Sequence, residues 1–207
     1  ETSSDRIMGI IKKNETVAQC IAAVKMAKKV GFHVSATFIY GLPTETQKER
    51  MECVRLSNEL NLDMVRFNNA TPYPGTEFYE MAKREKRLNI QGLYENFISV
   101  STFIESPFKQ IPFSYVPEGS SEDAIRRDML FSYFRFYFNL GRLKKIFLEP
   151  DKGAGWFNSG ERIFQFIRKI PALFFLGLML CFKFCQLFHY MVIKKETAIS
   201  LKEFIKI

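Results

Sequence analysis

The stretch FIYGLPTET, residues 38–46, runs an apolar strand into Gly41-Leu42-Pro43 and ends on threonines suited to start a helix. The class of the fold turns on it. Upstream, FHVSATFIY (32–40) is apolar on one side throughout and on both sides near its end, as strands of a buried parallel sheet are. Downstream, TQKERMECVRLSNELN (46–61) is predicted helical, with Thr46 and Glu49 at capping-box spacing and Asn61 at the stop. The same grammar recurs on either side. TVAQCIAAVKMAKKVG (16–31) has a capping pair in Thr16 and Gln19, a stripe of Val17, Ile21, Val24 and Ala27, and Gly31 at its end. DMVRFNNA (63–70) reads as a second strand. PYPGT follows as a rigid turn, and Thr76 caps a third helix, EFYEMAKREKR (77–87).

Helix–strand–helix–strand–helix with short connections predicts an α/β fold, a parallel sheet of right-handed β/α units. Two strands alone do not make a stable sheet with both faces covered. Further strands are therefore expected before Glu1, in a longer protein of which this chain is a part. The division expected is 1–90 for the β/α portion, 91–120 for a loop carrying Pro107, Pro112 and Pro117, and 121–207 for an α-helical, aromatic C-terminal region. In that region SSEDAIRRDMLFSYFRFYFNLG (120–141) predicts a capped helix with Ile125, Met129, Tyr133, Phe136 and Leu140 along one side. DKGAGWFNSG (151–160) reads as a linker. PALFFLGLMLCFKFCQLFHYMVIKK (171–195) predicts an apolar helix whose uninterrupted run falls short of the roughly 20 residues of a bilayer span. Lys183, Gln186 and His189 give it one polar stripe, so a buried or membrane-surface helix is expected.

With 207 residues, 47% of them hydrophobic, a packed core is expected and wholesale disorder is excluded. The formal charge of +8 fits a solvated basic surface, and also an anionic cofactor, membrane surface or nucleic acid. Nucleic acid is the weakest of these, because the Lys and Arg residues are scattered along helices and the aromatics fall in apolar stripes. Cys20, Cys53, Cys181 and Cys185 do not form a disulfide framework and read as reduced core thiols of a cytoplasmic protein.

Ligands of parallel β/α folds bind at the carboxyl ends of the strands. Here one strand ends on Ile39 and Gly41, where a missing Cβ would let a flat ring lie against the backbone. The other ends on Asn68 and Asn69, followed by Pro72-Tyr73-Pro74-Gly75. At this point the order and spacing of ETSSDRIMGIIKKN, VKMAKKVGFHVSATFIYGLPTET and NLDMVRFNNATPYPGTEFYEMAKRE resemble the last third of a radical S-adenosylmethionine (SAM) domain. The aromatic tail, with FRFYFNLGRLKKIFLEP, is similar to that of cobalamin-binding radical SAM proteins, including those like the anaerobic magnesium-protoporphyrin ester cyclase.

The resemblance implies a partial (β/α)6 barrel, SAM, a 4Fe–4S cluster held by C-x3-C-x2-C, and cobalamin as an optional second cofactor. It implies that Glu1 and Ser3 meet the methionine or ribose part of SAM and that Lys13 pairs with its carboxylate. Thr37 would face the ribose and Ile39 and Gly41 the adenine, with Asn68 binding SAM from the corresponding end of the sixth strand, and Pro72 and Tyr73 would lie near a small-molecule substrate, apolar or planar. The chain contains no C-x3-C-x2-C, so the cluster ligands are expected in an upstream part of the same protein, and this chain alone is expected to be inactive. The competing reading is a module without catalysis, a peripheral membrane or protein-interaction unit, in which Lys144, Lys145, Lys169, Lys194 and Lys195 meet anionic headgroups.

Overall fold

A computed structural model describes residues 1–99, 110–139, 142 and 162–194. In chain order the elements are α1 (Asp5–Ile10), α2 (Val17–Val30), β1 (Ser35–Tyr40), α3 (Gln47–Glu59), β2 (Met64–Asn69), α4 (Glu77–Arg84), α5 (Glu122–Tyr137) and α6 (Arg162–Phe188). The last continues into a π-helical turn, His189–Ile193. Each of the first five helices opens on a hydroxyl that accepts a backbone N–H: Ser4, Thr16, Thr46, Thr76 and Ser121. Such a cap is worth about 1 kcal/mol. The boxes read from sequence, Thr16 with Gln19 and Thr46 with Glu49, are both formed. Gly31 closes α2 at φ +96, and Asn61 takes the left-handed conformation after α3.

The fold is α/β, as expected, and its parallel sheet has two strands among the described residues. The register sets Phe38 opposite Phe67 and Tyr40 opposite Asn69. One face of the sheet, carrying Phe38, Tyr40, Val65 and Phe67, is buried beneath α3 and α5. The other carries Ser35, Thr37, Ile39, Met64, Arg66 and Asn68, none of them fully buried.

Helix α5 does more than cover that core. Ile125, Met129, Tyr133 and Phe136 of the side read from sequence are buried. Tyr133 and Tyr137 also reach the edge of β2 that faces away from β1. The Tyr133 hydroxyl accepts from the Phe67 N–H at 2.9 Å and donates to its carbonyl at 3.3 Å. Tyr137 does the same at Val65, at 3.2 and 2.8 Å. The match is geometric. Four helical residues rise about 6 Å and two strand residues about 6.6 Å, so i, i+4 tyrosines can serve alternate strand residues.

Two expectations are corrected. The α2 stripe is half-buried at best: no residue of α2 is fully buried, and of its stripe only Val24 packs on the main core among the described residues. Of the four thiols, only Cys53 is buried, and burial pushes it up to about 11. Cys181 and Cys185 are exposed, because α6 turns Lys183, Leu187 and Tyr190 inward instead. Pro107, Leu140, Lys144, Lys145, Lys195, the side chain of Lys169 and the 151–160 linker lie outside the described residues.

Candidate functional site

The open face of the sheet and the segments after its strands form the candidate site. Strand alternation places Thr37, Ile39, Arg66 and Asn68 together on that face, with Thr37 beside Arg66 and Ile39 beside Asn68. Thr37 is exposed, and Ile39 and Asn68 are half-buried. The Ile39 N–H donates to the Glu1 carbonyl at 2.8 Å, on the strand edge away from β2. Glu1 is thereby fixed beside Ile39. Its carboxylate pairs with the Lys13 ammonium at 2.9 Å. Lys13 arrives there because the turn after α1 is tight: Lys12 adopts φ +57 and the Lys13 N–H donates to the Met8 carbonyl. Hydrogen bonding to Glu1, reinforced by its charge, holds the Lys13 ammonium above its ordinary range.

Beyond Ile39 opens a cleft of about 1030 Å³. Ile39, Leu42, Ala70 and Phe78 make it apolar, and Lys12, Glu77 and Arg84 make its rim charged. Lys12 and Glu77 pair across it at 2.6 Å, both largely exposed, a contact that contributes little to stability. An apolar floor with a charged rim suits a flat ring that carries polar substituents.

The structure sets Thr37, Ile39 and Asn68 on one face of the sheet, with Glu1, paired to Lys13, at the β1 edge beside Ile39. It sends others elsewhere. The Ser3 hydroxyl donates to the Glu49 carbonyl at 3.3 Å and meets the Cys53 sulfur at 3.3 Å, so it ties the chain to α3. Gly41 does not offer a bare face to a ligand. A Cβ there would lie 3.1 Å from the Ile125 Cδ1 and 3.8 Å from Pro117, so the missing side chain makes room for α5. Gly41 also sits at φ +81, which a side chain would disfavour. Pro72 is buried and Tyr73 about half exposed, and neither lines the cleft.

What the sequence reading missed lies within its opening stretch. Glu45, 2% exposed, accepts from the Gly41 N–H at 2.6 Å and fixes the bend after β1. Burial pushes its carboxyl up to about 7, against the opposing pull of Arg50 and of the Gly41 N–H. Arg50 lies 3.6 Å from Glu45 and donates through Nε to Asp128 at 2.8 Å. Asp128 also accepts from Arg127 at 2.6 Å and from Gln47 at 3.1 Å. Tyr40 extends the network, donating to the Arg50 carbonyl and meeting Ser132, each at 2.8 Å. A Glu four residues after the glycine was visible in sequence. The Asp128 that holds its partner Arg50 from 78 residues further on was not.

Of the residues that the resemblance assigns to SAM, Glu1 and Ile39 line this cleft, whereas Lys13, Thr37 and Asn68 do not. The residues present do not fit a 4Fe–4S cluster. The four cysteines are dispersed, and among the described residues there is no group of three metal-ligating side chains.

No family model matches the chain. It is 44% identical over 82 residues to an uncharacterized methyltransferase of Pyrococcus horikoshii, 40% of this chain and 18% of that protein. It is 31% identical over 78 residues to a tRNA-2-methylthio-N(6)-dimethylallyladenosine synthase of Baumannia cicadellinicola, 37% of this chain and 17% of that one. To the anaerobic magnesium-protoporphyrin IX monomethyl ester cyclase of Cereibacter sphaeroides it is 21% identical over 156 residues, 75% of this chain and 22% of the cyclase. The chain thus spans about a fifth of the length of the curated relatives it matches. Its homologues, methylthiotransferases and the magnesium-protoporphyrin ester cyclase among them, are radical SAM proteins, at modest identity over about 40% of the chain.

Proposed function

We propose that this chain supplies the adenosyl-binding side of a radical SAM site, as one part of a longer (β/α)6-type enzyme. The observation that carries the reading is the convergence of Ile39, Asn68 and the Glu1–Lys13 pair at the carboxyl ends of two parallel strands, beside an apolar cleft. In this reading the ring of SAM lies against Ile39 and Asn68 hydrogen-bonds its edge. Lys13, held charged by Glu1, attracts the carboxylate of the methionine part. SAM bound to a reduced 4Fe–4S cluster supplies a radical in such enzymes. This chain has no cluster ligands to offer, so they come from a segment carrying C-x3-C-x2-C outside it. The substrate proposed is apolar or planar. One match, too long to lie within the β/α portion, is to a cyclase named for a magnesium-protoporphyrin ester.

Calorimetric titration of the full 207-residue chain with SAM tests the reading. The expected result is saturable binding that Asn68→Ala weakens about tenfold, the worth of one well-placed hydrogen bond. Absence of binding, or equal binding by wild type and by an Asn68→Ala, Lys13→Ala double variant, would overturn it.

A further inference from the structure

Helix α6 is built inside out. Lys183, Leu187 and Tyr190 are buried against the rest of the molecule, and Lys183 donates to Gln186 at 3.4 Å. The outward side carries Phe174, Phe175, Leu178, Phe182, Phe184 and Phe188, each at least 40% exposed and Phe174 75% exposed. A row of large apolar side chains along several helical turns is more than a monomer surface ordinarily shows and marks an interaction face. No helix among the described residues is long and apolar enough to cross a membrane.

Two observations choose the occupant. Phe174, Leu178, Cys181, Cys185, Phe188 and Val192 recur at alternating four- and three-residue steps, the spacing of a coiled-coil seam. A paired coil, however, flanks its seam with charged residues, and here the flanks hold Phe175, Phe182 and Phe184. The apolar arc is thus too wide for a seam and wide enough for lipid. Charge supplies the second observation. Residues 121–207 hold 15 Lys and Arg against 8 Asp and Glu, a net +7 of the chain's +8. Among the described residues, Arg135 is exposed at the edge of an apolar groove between α5 and α6, with no acidic partner.

We propose that this outward face of α6, with Arg135 at its rim, docks the protein on an anionic lipid surface, the helix lying in the plane of the interface. The inference is independent of SAM binding. Flotation of the full chain with vesicles of phosphatidylcholine and phosphatidylglycerol at low salt is expected to carry the protein up with the lipid. Phosphatidylcholine alone, or high salt, is expected to cut recovery about tenfold as the attraction of the basic residues is lost. The triple variant Phe174→Ser, Phe175→Ser, Phe182→Ser should no longer float, while Leu93→Ser, at an exposed position away from α6, should float as wild type does. Circular dichroism verifies that the variants fold, and Arg135→Glu, a surface change, gives a second reading of reduced recovery. Wild type that stays with the soluble fraction, or a triple variant that floats unchanged, would overturn the proposal. A lipid-free dimer by sedimentation velocity that the triple variant converts to monomer, without flotation, would assign the face to a second copy and overturn it equally.

Discussion

The two faces of the β1–β2 sheet have opposite tasks. The face beneath α3 and α5 is filled: Phe38 stacks on Phe67, Tyr133 meets Phe67 edge-on at 5.2 Å, and Tyr40 hydrogen-bonds Arg50 and Ser132. Across the sheet, Thr37, Ile39, Arg66 and Asn68 have no fully buried member. The difference is one of side-chain parity alone, since neighbouring residues of one strand serve the two faces. The local rule that stabilises this fold therefore also lays out its candidate site, and substitutions at adjacent positions of one strand should read out in different assays.

The buried side offers the largest effect. Asp128→Ala strands the Arg50 and Arg127 guanidiniums without their carboxylate and is expected to cost about 3–5 kcal/mol in chemical denaturation. A loss under 1 kcal/mol would show that the network is dispensable. The double variant Tyr133→Phe, Tyr137→Phe keeps both rings and removes both hydroxyls from β2, with an expected cost of about 2 kcal/mol. Faster amide hydrogen exchange at Val65 and Phe67 would locate that cost; unchanged exchange there would refute the edge-bonding role. On the open face the comparison inverts. Asn68→Ala should leave unfolding free energy within about 0.5 kcal/mol of wild type while lowering SAM affinity about tenfold. Equal losses in both assays would break the distinction between the faces.

A further effect, confined to the buried side, is in pH. The Glu45 carboxyl is raised in the folded chain from 4.5 to about 7 by burial, so the folded state holds this proton when the unfolded state has lost it. Stability from this group therefore falls as pH rises from about 4.5 through 7. Glu49 has the opposite sign. Burial raises its carboxyl, but hydrogen bonds from Arg6, Ser4 and Thr46 outweigh that and bring it to about 2. Its stabilisation is present above 4.5 and is lost as pH falls towards 2. Thermal unfolding of Glu45→Gln should lose the downward slope between pH 4.5 and 7. A slope that persists in this variant would assign it to another group.

Elements that rest on local chemistry were legible in sequence. Hydroxyl caps, Gly31 and Asn61 as stops, and the alternation that sets β1 and β2 all depend on residues a few positions apart. The parallel register that brings Ile39 and Asn68 side by side joins residues 29 positions apart. Illegible were features that exist only once distant elements meet. Gly41 looked like a ligand platform because its conformational freedom is local, but its bare side faces Ile125, 84 positions away. Ser3 looked polar and available, yet its hydroxyl is committed to α3. The α6 pattern left a choice open. The polar stripe did not say which side of the helix meets the core, and here Lys183 of that stripe points in.

The tyrosines on β2 have a consequence for the direction in which the sheet can grow. An open sheet has two growing ends, and a chain with both free can propagate without limit by adding strands at each. Tyr133 and Tyr137 act as a terminator at one end, leaving the β1 edge as the place where a strand can be added among the described residues. Growth of the sheet is thus confined to the β1 side, the side on which the further strands of the proposed (β/α)6-type protein would have to lie.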